Sequence, residues 1–70
     1  MKADVMKSLT NEQLERAKFA YLELRDIYEE RAGGVYAAMN EKEYLVIRAT
    51  IAKIDQIFHE RITEGGNNGR

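Results

Sequence analysis

One histidine (His59), one serine (Ser8) and no cysteine make up the usual nucleophiles and imidazole bases of this 70-residue chain. A Ser–His–acid triad would have to recruit Ser8, which lies in the N-terminal segment ahead of any long helical pattern. Without cysteine there are neither disulfides nor zinc–thiolate sites. Carboxylate-bridged metal sites in helical bundles draw on Glu-x-x-His pairs, and none occurs here. Asp55 and His59 stand four residues apart but supply only two ligands per chain. No glycine-rich loop leads into a Lys-Ser or Lys-Thr pair, so no phosphate cradle of that kind is encoded. These absences predict a protein that is not an enzyme and uses no metal or cofactor.

The remaining polar and aromatic side chains suit binding better than catalysis. Glu41, Arg48, Asp55 and His59 follow one another at spacings of seven, seven and four, along one edge of a helix. In one reading Arg48 holds an anionic group and His59 adds pH sensitivity. In the other, which the usual charge pattern of bundle seams favours, the edge makes interhelical ion pairs. Phe19 and Leu22 lie off the main apolar stripe of their helix, close to Glu15 and Asp26. They read equally as ordinary exposed apolar residues and as a partner-facing patch. Phe19, Leu22, Arg48 and His59 are therefore the candidate partner-binding residues. Arg61 sits on the apolar side of its helix, where it can reach terminal carbonyls or snorkel to water. Tyr21 and Tyr44 read as core. Tyr28 and Tyr36, near a turn, suit an interface or ligand role.

Two long helices must position these groups. Thr10 with Gln13 three residues on is a capping box, stapled by Leu9 and Leu14. Asn40 with Glu43, stapled by Met39 and Tyr44, repeats the pattern. The first helix is predicted over about Asn11 to Ala32, ending at Gly33-Gly34, with Leu14, Ala17, Ala20, Tyr21, Leu24, Ile27 and Tyr28 as its stripe. The second is predicted over about Glu41 to Thr63, ending at Gly65. Its stripe is Tyr44, Ile47, Ile51, Ile54, Phe58 and Ile62, widened by Val46 and Ile57. The apolar connection from Val35 to Met39 should pack over the end of the pair, as one helical turn.

The fold class that follows is all-α: an antiparallel helical hairpin. Residues 1–9 form an N-terminal segment, 10–64 the hairpin domain and 65–70, rich in glycine and asparagine, a flexible tail. A single core in so short a chain seldom supplies more than about 3–5 kcal/mol without a further staple. Oligomerisation is the device left open. The second helix is apolar over too wide an arc for one neighbour, so a homodimer forming a four-helix bundle is expected, with Ile47, Ile51, Ile54 and Phe58 in the shared core.

Eleven basic against twelve acidic side chains give a net charge of −1, a balance that speaks against binding mainly through nucleic-acid phosphates. No apolar run is long enough for a secretory signal or a bilayer span, so a cytoplasmic protein without membrane attachment is expected. The function that suits these features is a small regulator or adaptor, of bacterial, plasmid or phage style, that dimerises and binds or inhibits a larger protein. In architecture the chain is similar to the Rop family of RNA-binding helical hairpins, whose dimers are four-helix bundles. That likeness implies a nucleic-acid partner, although Arg16, Lys18, Arg25, Lys42, Arg48 and Lys53 are interspersed with acids. The run Tyr44-Leu45-Val46-Ile47-Arg48-Ala49-Thr50 resembles viral hairpin proteins that trap cyclic-nucleotide signals, which implies a small anionic ligand held between subunits.

Overall fold

Thr10 and Gly33 fix the first long helix between them. A computed structural model describes the backbone of residues 3–68 and the side chains of residues 4–63. In order these form α1 (Ala3–Ser8), α2 (Asn11–Ala32), α3 (Val35–Ala38) and α4 (Lys42–Asn68). At the start of α2 the Gln13 amide donates to Thr10 Oγ1 at 3.1 Å. The Thr10 amide donates to Gln13 Oε1 at 2.9 Å, which completes the capping box. At its end Gly33 turns left-handed, with φ of 89°. The Gly34 amide reaches the Glu29 carbonyl at 2.8 Å and the Gly33 amide that of Glu30 at 3.3 Å, the bond pattern of a Schellman motif. The predicted bounds of α2 hold at both ends.

The second long helix departs from expectation twice. The Glu41 carbonyl accepts the Leu45 amide at 3.2 Å, so the helix opens one residue later than an Asn40 cap requires. The Asn40 and Glu41 amides are instead used by the Ala37 and Ala38 carbonyls at the end of α3. No Asn40–Glu43 capping box forms among the described residues. At its other end α4 continues through Gly65 to Asn68, within the span read as a tail. Glycine costs a helix about 1 kcal/mol but does not forbid it, and no proline follows to stop the chain. Residues 69 and 70 lie outside the described part.

Packing of α2 against α4 gives the antiparallel hairpin. Leu14, Tyr44 and Ile54 are fully buried between them, with Ile47 and Ile51 nearly so and Tyr21, Tyr28 and Phe58 half-buried. The predicted turn α3 buries Ala38 but leaves Tyr36 91% exposed. Ile62, at the end of the predicted stripe, is also exposed, because α4 there runs out past the first residues of α2.

The N-terminal segment, read as a separate piece, is in part the helix α1, and it belongs to the core. Met6 is 1% exposed and packs with Leu14, Ile54 and Ile57. Arg61 holds the α1–α2 junction in place. Its guanidinium donates to the Lys7 and Leu9 carbonyls at 3.1 and 2.7 Å and to Asn11 Oδ1 at 2.6 Å. The arginine on the apolar side of α4 thus meets carbonyls at the α1–α2 junction instead of those at the end of its own helix. Among the described residues no helix is long and apolar enough to cross a membrane.

Candidate functional site

The two flanks of the α2–α4 seam differ in character. On one flank two polar pairs tie the helices together. Lys18 Nζ meets Asp55 Oδ1 at 2.5 Å, and the Tyr44 hydroxyl donates to Glu29 Oε2 at 2.6 Å. Both pairs describe the same antiparallel register. Seven residues on from Lys18 and seven back from Asp55, or four back from Glu29 and four on from Tyr44, the register reaches Arg25 and Arg48. These arginines face each other across a cleft of about 210 Å³, which they line with Ile51, Ala52 and Asp55.

Like charges facing each other across a seam repel, and the carboxylates nearest to Arg25 stand beyond hydrogen-bond distance of it. Arg48 places its guanidinium carbon 5.7 Å from the centroid of the Tyr44 ring, a cation–π contact, and forms no ion pair among the described residues. Arg25 approaches Asp26 at 3.6 Å and Glu29 at 3.8 Å, which are longer than hydrogen bonds. Its Nε is buried and has no hydrogen-bond partner. Two of the neighbouring carboxylates already have donors, Asp55 from Lys18 and Glu29 from Tyr44, whereas Asp26 meets only Arg25. The Glu29 hydrogen bond, then burial, then the Glu29 charge raise the Tyr44 phenol above its ordinary value of 10.0, while Arg48 acts the other way.

The other flank is apolar and open. Leu24, Tyr28, Lys42, Glu43, Val46 and Ile47 line a groove of about 510 Å³. Leu24 is 41% exposed, and Ala20 and Ile27, on the same stripe of α2, are also exposed. This part of the predicted α2 stripe therefore points away from α4. Val46 lies seven residues before Lys53 and eleven before Ile57, on the stripe of α4 that α1 covers farther along. α1 thus closes one half of this flank and leaves the other half bare.

Of the predicted binding residues, Arg48 lies on the polar flank and Leu22 beside it. Phe19 is 59% exposed, whereas Leu22 is half-buried beside the polar flank. Arg48 and Asp55 share the cleft, as their spacing required. His59 is exposed on the same edge, and its carbonyl accepts the Thr63 hydroxyl at 2.9 Å. Ile47, Ile51 and Ile54 are buried by the chain's own helices, with Phe58 half-buried, so they offer a second subunit little free area. Sequence reasoning counted Arg25 only among scattered basic residues and did not pair it with Arg48. The signal was present, since it falls four residues after Tyr21 and three before Tyr28, inside the buried stripe. No group of three or more His, Asp or Glu side chains gathers to hold a metal among the described residues. No family model matches the chain, and neither a curated protein nor a solved structure is significantly similar to it.

Proposed function

We propose that this protein is a non-enzymatic docking module that pairs with a second copy of itself and, as a dimer, binds a larger protein. The observation that carries the self-association is the bare apolar half-flank of Ala20, Leu24, Ile27 and Val46, beside the half-buried Tyr28. Surface area supports it. A monomer of 8.1 kDa is expected to expose about 4,500 Å², and this chain exposes 5410 Å² over extents of 48 × 20 × 16 Å. Two hairpins apposed on these faces make a four-helix bundle, and the shared layer consists of residues left exposed by the hairpin instead of its internal isoleucines.

Phe19 and Tyr36, both exposed and away from that face, remain for the larger partner. Sedimentation equilibrium at micromolar concentration tests the first half of the reading. The expected result is a dimer that Leu24→Glu with Ile27→Glu converts to a folded monomer. A folded monomer of 8.1 kDa for the unaltered chain would overturn it. Affinity capture with Phe19→Ser as the control tests the second half, since that variant should dimerise normally and lose the partner.

A further inference from the structure

We infer that the cleft between Arg25 and Arg48 binds the phosphate group of a small ligand. Three features of the cleft point to an oxyanion. The register set by Lys18–Asp55 and Glu29–Tyr44 places two arginines opposite each other, and both line one cleft. Of the three carboxylates bordering them, Asp55 and Glu29 make their shortest contacts to Lys18 and Tyr44, and Asp26 stays 3.6 Å from Arg25. The buried Nε of Arg25 lies 3.8 Å from Glu29 Oε2, too far for a hydrogen bond, and has no other acceptor among the described residues. An anion seated between the arginines turns a repulsive pair into two attractive ones and satisfies that donor.

Geometry favours phosphate over carboxylate. A carboxylate has two oxygens in one plane and matches a single guanidinium fork. A phosphate carries oxygens on several sides, so groups from two opposed helices can each bind it. The cleft, at about 210 Å³, is smaller than the ~300–1,000 Å³ of pockets that enclose an entire drug-sized ligand. It takes the charged group, over a floor of Ile51 and Ala52, and leaves any substituent outside. Free phosphate and the phosphate of a nucleotide share this chemistry. The site belongs to one hairpin and does not depend on the dimer.

The test is thermal unfolding and calorimetry of the full chain with inorganic phosphate, adenosine monophosphate and acetate, each matched in ionic strength with chloride. Saturable stabilisation by phosphate and by the nucleotide is expected, and none by acetate. Tighter binding of the nucleotide assigns the site to a phosphate ester, and equal binding to the free ion. Arg48→Gln, at an exposed position, should weaken phosphate binding by about tenfold or more. Arg48→Lys should recover only part of that, since an ammonium lacks the fork. Phosphate effects no larger than those of chloride, or equal in Arg48→Gln, would overturn the inference, as would equal stabilisation by acetate.

Discussion

Tyr44 carries a buried ring whose hydroxyl serves a carboxylate, and this makes its protonation a condition of folding. Its folded pKa lies above the ordinary 10.0, so the neutral phenol is the form the fold prefers. The stability so contributed is complete below the unfolded value and is lost as pH rises through the folded one. Urea unfolding across alkaline pH should show stability falling above pH 10, with that part of the loss missing in Tyr44→Phe. Identical profiles for the two proteins would mean that the Glu29 hydrogen bond does not govern the titration. Arg61 gives a second prediction at this scale. Arg61→Ala removes three hydrogen bonds from a charged donor and should cost about 2 kcal/mol in chemical denaturation. Arg61→Lys should remain almost as weak, because one ammonium cannot reproduce the planar fork that reaches all three acceptors.

Among the elements, the two predicted caps now separate. Thr10→Ala should lose about 1 kcal/mol, since the Gln13 amide is left without its acceptor. Asn40→Ala should stay within about 0.5 kcal/mol, as its side chain caps nothing among the described residues. Equal losses in the two variants, measured by urea unfolding, would restore the Asn40 cap. The contrast marks where sequence was legible. α2 carries local signals at both ends and was readable to the residue. α1 has six residues, too few to display a helical period, and is held by Met6 and Arg61, contacts made with the far end of the chain. The candidate site divides in the same way. The spacing of Arg48 and Asp55 along α4 was visible, but the residue facing Arg48 depends on interhelical register. That register rests on two side-chain pairs that no periodicity announces.

For the whole molecule, the balance between internal core and uncovered flank decides behaviour. Ile54 is fully buried, and Ile54→Ala should cost about 2–5 kcal/mol, while the exposed Ile62→Ala should be nearly neutral. If the bare flank joins two copies, folding is linked to association, and the melting temperature rises with protein concentration. Leu24→Glu with Ile27→Glu should abolish that dependence while leaving helical circular dichroism in place. A concentration-independent melt of the unaltered chain would place all the stability within one hairpin.

The clasp of Arg61 on the α1–α2 junction also dictates an order of assembly. It joins its guanidinium to carbonyls 54 and 52 positions away, across a surface that exists only after α2 and α4 have come together. The hairpin, whose strands of helix are joined by a short connection, closes over a far smaller loop. α1 is therefore the last piece to dock and the first to leave, a unit able to open by itself while the hairpin stays shut. Amide hydrogen exchange should register this as faster exchange in α1 than at the centre of α4 around Ile51. Arg61→Ala should accelerate α1 more strongly than the hairpin, so that the chain breathes from its N-terminal end.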